Sequence, residues 1–386
     1  MSGLELAMAK VDKIADLIRD DAAVAERQGF LTPAVVDALF EADLFRLMVP
    51  AADGGFDLTI PESIEVFERL ASFDASTAWT IAILTGGPRI ARLISPEVDA
   101  AVHGGRGGLM AATLNPIGAR AIRVDGGFRF SGTGSYMSGS AHADWLMVSA
   151  LEIENDAPVF NNGVIAVRSG VIPIDHARLL DTWHVTGMRA TNSTDCEFND
   201  VFVADGWHFK PLELGTSPET AFDAIPLWAK LGPALAACGV GAARNMIERF
   251  VDLAGAKMPA GGVALLRDKP TAQIALGEAQ SLYQAARAVL LETTREVWAL
   301  GIARAPFDNE ILARHRLGLV AAVRLSAQAI DLLHDASGMS AVASDSVLER
   351  CWRDVHTITQ HLVLSPARYE IAGRVLLGLD PGAPVI

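Results

Sequence analysis

The chain has 386 residues, of which 51% are hydrophobic, and a formal net charge of -14. That length exceeds one ordinary core and predicts two or three packed domains able to bury a large cofactor. The acidic balance, with basic residues scattered rather than gathered into a stripe, argues against a nucleic-acid partner.

Residues 1–29 lack the basic, apolar and small-residue regions of a signal peptide. No uninterrupted apolar run approaches the roughly 18 to 20 residues of a membrane-spanning helix. A cytoplasmic protein with no membrane partner is expected. Cys196, Cys238 and Cys351 lie far apart without ligand spacing, so buried thiols are predicted rather than disulfides or a metal site.

In chain order, residues 1–108 read as a helical domain. Apolar positions recur at helical spacing, as in Val11, Ile14, Ala15 and Ile18, and Pro33 and Pro61 mark helix starts. Residues 109–215 change to short strands. Ala121–Phe130 reads as a hairpin turning at Asp125-Gly126-Gly127, and Trp145–Ala150, Val164–Val167 and Cys196–Val203 add strands of a sandwich or barrel. Residues 216–386 return to long Ala- and Leu-rich helices with breaks near Pro259 to Gly262, Pro306 and Gly338, which predicts a four-helix bundle. The fold class is α+β and multidomain, in the order helical, β, helical.

Several islands in the correct order carry a resemblance. Met48–Gly55 (MVPAADGG) is similar to a "VPxxxGG" turn. Gly132–Gly139 (GTGSYMSG), with Ala143-Asp144, is similar to a flavin-facing "GxKxxxTN…AD" segment. Trp183–Ser193 (WHVTGMRATNS) with Phe198–Val203 (FNDVFV) resembles "GMRGTxS…F.DVxVP", and Arg350–Asp354 (RCWRD) resembles "ER.xRD". Together they resemble the acyl-CoA dehydrogenase superfamily over nearly the whole chain. The resemblance implies a helical domain, a central β-domain and a four-helix bundle, usually assembled as a homotetramer.

The likeness breaks where dehydrogenase chemistry is carried. The catalytic glutamate of "RDxxxxxIYEGT" falls at Leu362, within Val355–Val363 (VHTITQHLV), and a leucine accepts no proton. The alternative base position, near Leu231 to Gly239, shows no acid. The FAD-tail signature is reduced to Arg267–Gln273 (RDKPTAQ) and the pyrophosphate turn to Thr113–Arg120 (TLNPIGAR), which admits FMN.

These departures resemble the two-component flavin monooxygenases of the same fold, such as the oxygenase components of 4-hydroxyphenylacetate hydroxylase, dibenzothiophene monooxygenase and indole-oxidising enzymes. The resemblance implies reduced FMN or FAD supplied by a separate flavin reductase, oxygen added at flavin C4a, and hydroxylation of an aromatic or heteroaromatic substrate. It places Ser138 and His361 in catalytic roles, Ser138 accepting the flavin N5–H and His361 lining the oxygen site. Ser138, Gly139, Trp183, Asn115, Thr191 and Ser193 are then expected on the flavin, with Arg267 at its phosphate. Trp79, Leu84, Tyr136 and Met137 are expected to wall the substrate pocket. Arg353 and Asp354 are expected to form a structural pair, with His356 as a bystander on another helix face. Competing readings are oxygenation at nitrogen or sulfur, an FAD-dependent acyl-CoA dehydrogenase with its base elsewhere, and a non-catalytic relative kept for assembly or binding.

Overall fold

The computed structural model describes residues 1–103, 108–161, 163–214 and 220–382. Six helices come first: α1 (Gly3–Lys13), α2 (Ala15–Gln28), α3 (Pro33–Glu41), α4 (Ile60–Ala71), α5 (Ala75–Ile94) and α6 (Pro96–His103). Their starts are written locally. Ser2 and Thr59 each close a capping box with the glutamate three residues on, and Asp74 accepts the Thr77 N–H at 2.8 Å to open α5.

Strands follow: β1 (Met110–Ala112), β2 (Ala119–Val124), β3 (Gly127–Met137), β4 (Trp145–Glu154), β5 (Ala157–Pro158), β6 (Phe160–Asn161), β7 (Val164–Ile165), β8 (Val167–Pro173), β9 (Arg178–Leu179), β10 (Thr194–Ala204) and β11 (His208–Phe209). The predicted hairpin is β2–β3, with Val124 opposite Gly127 and Gly126 at φ 72° in its turn. Among the described residues the expected sandwich or barrel is one mixed nine-stranded sheet, ordered β11-β8-β4-β2-β3-β10-β9, with a two-stranded ribbon of β6 and β7 beside it. The long β4 joins its two halves by pairing parallel with β1 through Trp145–Met147 and with β2 through residues aligned to Leu151–Ile153.

The chain then returns to helix: α7 (Ala221–Ala224), α8 (Leu227–Ala256), α9 (Pro270–Ala303), α10 (Asn309–Ser337), α11 (Val347–Ile358) and α12 (Arg368–Leu376). The elements change type between His103 and Met110 and again between Phe209 and Ala221; the predicted boundary at 215/216 lies outside the described residues. Segment 309–341 is long and apolar enough to cross a membrane by composition, but 56% of its most apolar 18-residue window is buried against the rest of the protein.

Pro233 sits inside α8, where it has no N–H to give the carbonyl of Ala229. The ring of His315 takes that place, its Nε2 donating to Ala229 O at 3.0 Å while Nδ1 accepts from Thr293 Oγ1 at 3.1 Å. Burial lowers His315 to about 4, so it stays neutral in this role.

Candidate active site

The site begins at a sheet register. Thr194 of β10 pairs with Met137 of β3, so the residues just beyond that pair, Ser193 and Ser138, come together. Their hydroxyls lie 2.6 Å apart. Gly139 follows at φ 78°, and a side chain there would meet Leu84 of α5 at 2.9 Å, so only glycine fits the turn. Its N–H donates to Thr191 O at 2.7 Å, and Ser140 Oγ donates to Asn192 Oδ1 at 3.0 Å. Segments 138–141 and 188–193 are thereby sewn into one surface.

A chain of hydroxyls fixes the direction of every hydrogen in it. Thr191 Oγ1 contacts Met188 O at 2.8 Å, and a carbonyl cannot donate, so Thr191 gives its hydrogen there. Ser193 therefore donates to Thr191 across 2.6 Å, and Ser138 donates to Ser193. Trp79 Nε1 donates to Ser138 Oγ at 3.2 Å. Ser138 is left as an acceptor with one free lone pair.

The loop itself is held from α11. Met188 adopts φ 55°, and its N–H donates to Asp354 Oδ1 at 2.5 Å. A side chain at Gly187 would collide with Arg353 O at 2.2 Å, and the Arg353 guanidinium donates to Thr186 O. Arg353 and Asp354 are structural, as expected, but not as a pair. Arg353 binds Glu26 at 2.6 Å and Glu349 at 2.5 Å, while Asp354 serves the loop. Burial and then Asp74 push Asp354 up to about 7, against the pull of the Met188 N–H.

His361 lies three residues past the end of α11, on a turn rather than on a helix. Its ring meets the edge of Trp79, with centroids 5.2 Å apart at 76°. Nδ1 accepts from Val363 N–H at 3.4 Å, which leaves the hydrogen on Nε2. Burial, with the charge of Arg316 adding to it, lowers the ring to about 4. His361 is thus a neutral imidazole with its donor at Nε2. Leu362, at the lost base position, is 54% exposed. His356 is spent elsewhere, on Asp331 at 2.8 Å and against Trp352.

The other expected site residues divide. Trp183 donates from Nε1 to Met188 O at 3.1 Å and stands edge-on to Tyr136, which is 65% exposed. Met137 and Leu84 are fully buried in the core, so the pocket wall expected of Leu84, Tyr136 and Met137 reduces to Trp79. An irregularity in β3 is the reason: Tyr136 lies at φ 62° in the register shift between the Met137–Thr194 and Gly134–Cys196 pairs, which turns it outward beside the buried Met137. Asn115 caps its own turn, accepting from Ile117 N–H at 3.1 Å. Arg267 sits beyond the far end of α8 with its side chain 63% exposed, away from the serine cluster of its own chain. All three cysteines are buried, and burial raises each thiol, Cys196 to about 11.

The sequence reading missed Asp354 as the anchor of the loop and the bond from Trp79 to Ser138. Neither has a local signal, since the partners lie 166 and 59 residues apart.

The cluster suits a flavin ring. It offers a buried acceptor at Ser138, a glycine surface at Gly139 with no Cβ, an aromatic wall at Trp79 and a neutral donor at His361.

Comparison with known proteins gives a matching picture. The family model described as acyl-CoA dehydrogenase, N-terminal domain, matches residues 7–101, and that described as acyl-CoA dehydrogenase, C-terminal domain, matches residues 234–366. The chain is 28% identical to an indole-3-acetate monooxygenase of Pseudomonas putida, over 96% of this chain and 94% of that protein. It is 29% identical to the flavin-dependent monooxygenase oxygenase subunit HsaA of Mycobacterium tuberculosis, over 98% and 97%. Among solved structures, XiaF from a Streptomyces species, in complex with FADH2 and glycerol, superposes with a TM-score of 0.90 at 26% identity, over 100% of this chain and 98% of that one.

Proposed function

The chain belongs to the acyl-CoA dehydrogenase family, and on that premise we propose that it is the oxygenase component of a two-component flavin-dependent monooxygenase. It takes reduced FMN or FAD from a separate flavin reductase and hydroxylates an aromatic or heteroaromatic small molecule in the cytoplasm. The observation that carries the reading is the pairing at the base position. An exposed leucine stands where thioester oxidation needs a carboxylate, and the neighbouring His361 turns inward onto Trp79 as a neutral donor.

Reduced flavin, when bound, supplies the electrons that activate dioxygen. The residues of this chain hold and shield it. Ser138 Oγ, its own hydrogen committed to Ser193, accepts a hydrogen bond from a ring N–H of the cofactor. Gly139 holds the left-handed turn that would present Ser138 to the ring. His361 Nε2–H would donate to oxygen beside the flavin, and the Trp79 ring packed against it would help exclude water. Trp183, Asn115 and Thr191 border the same surface, Thr191 by orienting Ser193.

Dehydrogenation lacks a base here. Asp354 is committed to the Met188 N–H, and Asp74 to Thr77 through both N–H and hydroxyl at 2.8 Å. The test is product analysis with a flavin reductase, NADH and a panel of phenols and indoles. Oxygen-dependent hydroxylation is expected, and bleaching of bound flavin by an acyl-CoA without oxygen would overturn the reading.

Arg267 belongs to the same proposal through assembly, serving the flavin phosphate of a neighbouring subunit in a homotetramer. Arg267→Ala and Ser138→Ala are each expected to impair turnover alone. Mixed and reassembled, they should regain part of it. A mixture no better than its components removes Arg267 from the site.

A further inference from the structure

Two cations that meet on Phe222, one from α5 and one from α8, have no use in the chemistry above. Lys230 of α8 is only 5% exposed, yet among the described residues its Nζ has no hydrogen-bond acceptor and no carboxylate within 4 Å. Its contact is the ring of Phe222, with Nζ 4.6 Å from the centroid. Arg89 of α5 stacks on the same ring at 4.8 Å. Arg89 gives Thr220 Oγ1 one hydrogen bond of 3.3 Å, and its buried Nε has no partner. The carboxylate assigned to this corner, Asp223, is taken up by the capping box of α7, where it accepts from Thr220 N at 3.1 Å and Oγ1 at 2.6 Å. Two like charges facing one ring, one of them in the first turn of a helix, oppose each other and the helix dipole. Burial, the largest cause, lowers both groups, Lys230 to about 8, against the pull of Asp223; the Arg89 charge adds to the lowering at Lys230 and the Arg92 charge at Arg89.

The geometry ties this corner to Trp79 and His361. The helices α5 and α8 pack together and run between the same two ends. At the first end Trp79 meets His361, and Gly239 approaches Ile358, three residues before His361. At the second end Arg89 and Lys230 meet on Phe222. Ten residues separate Trp79 from Arg89 and nine separate Gly239 from Lys230, so both helices put the ends about 14 Å apart. Between them Gly86 is buried, and a side chain there would meet nothing within 4 Å, so α5 borders open space inside the protein. Arg89 also lines an outer recess of about 400 Å³ with Arg46, Arg92, His103, Asp53 and Asp99, in which Asp53 pairs with Arg92 at 3.1 Å.

We propose that Arg89 and Lys230 form an anion subsite that selects aromatic substrates bearing a carboxylate, holding the acid group while the ring reaches toward Trp79 and His361. The proposal rests on the monooxygenase reading for which end of the substrate reacts. It explains why two cations are kept against one ring with no carboxylate within 4 Å among the described residues: the substrate is their counter-ion. One or two fused rings with a short acid arm match a span of about 14 Å less the length of the two side chains. Paired donors of arginine suit a carboxylate, and desolvation strengthens the bond.

The experiment is calorimetric binding to the whole protein with oxidised FMN present. The probes are indole-3-acetate, 4-hydroxyphenylacetate and 2-naphthoate, each beside its primary amide. At least one acid is expected to bind about tenfold or more tighter than its amide. Lys230→Met, close in volume, and Arg89→Gln should each erase that preference while leaving the amide unchanged. Equal affinity of acid and amide in the unaltered protein overturns the proposal without any variant, as does a preference that survives both substitutions or no binding of any acid. Hydroxylation of a neutral substrate with the reductase would then leave the monooxygenase reading standing alone, and its absence with every probe would bring down that reading separately.

Discussion

At the scale of single residues, Ser138 and His361 owe their properties to neighbours that commit their other atoms. Ser138 is an acceptor because Ser193 takes its hydrogen, and His361 is a donor because the Val363 N–H occupies Nδ1. Replacing His361 with alanine is expected to leave flavin binding within about twofold while diverting oxygen to hydrogen peroxide at the expense of product; measuring product and peroxide against oxygen consumed checks this, and unchanged coupling would exclude His361. Because the ring is held near 4, coupling in the unaltered enzyme should show no histidine titration between about pH 5.5 and 8. Ser193→Ala removes the acceptor for the Ser138 hydroxyl and frees it to rotate. Its coupling should fall toward that of Ser138→Ala although Ser138 is untouched, and a normal ratio of product to peroxide in Ser193→Ala would show that the hydroxyl chain does not orient Ser138.

Among elements, the proline inside α8 shows how one residue obliges another far away. Pro233 withholds a hydrogen bond from Ala229 O, and His315, 86 residues from that carbonyl, supplies it. His315→Ala leaves a buried carbonyl unsatisfied and opens a void, a cost of about 2–4 kcal/mol. In a Pro233→Ala background the helix regains its own N–H, so the same substitution should cost about 1 kcal/mol less. Urea unfolding of the four proteins measures the coupling. Additive effects would mean that the ring and the proline act independently. The same logic holds the flavin surface, where α11 reaches across to fix Met188 through Asp354 and leaves no room for a side chain at Gly187.

For the whole molecule, burial of histidines sets the acid side of stability. His142, His315 and His361 are each lowered to about 4, His142 and His315 chiefly by burial as His361 is. In the unfolded chain they take up protons near 6.5, in the folded one only near 4, so the unfolded state binds more protons between those values. Stability is therefore expected to fall as pH drops from about 6.5 toward 4 and then to level as regards these groups. Asp354, raised to about 7, works the other way through the same window, one group against three. Thermal midpoints measured from pH 7.5 to 4 in steps test the sign, and a midpoint that rises on acidification would contradict it.

The order of helical, β and helical segments, the capping residues and the β2–β3 turn are local properties of residues a few positions apart, and they were legible in the sequence. So was the vacancy at Leu362, because a missing carboxylate is visible as a residue type. The resemblance named Ser138, Gly139 and His361, but only folding shows how Trp79, Ser193, Met188 and Asp354 orient them. It also turned Tyr136 outward, sank Leu84 and Met137 into the core and set Arg267 apart. Lys230 was a single cation in the apolar stretch Leu227–Gly232, with nothing nearby to mark it. Its meaning depends on Arg89 arriving at the same ring from another helix. Local chemistry is determined by neighbours in sequence, whereas the protonation, direction and partners of a buried group are set by what surrounds it in space, and only the tertiary structure decides that.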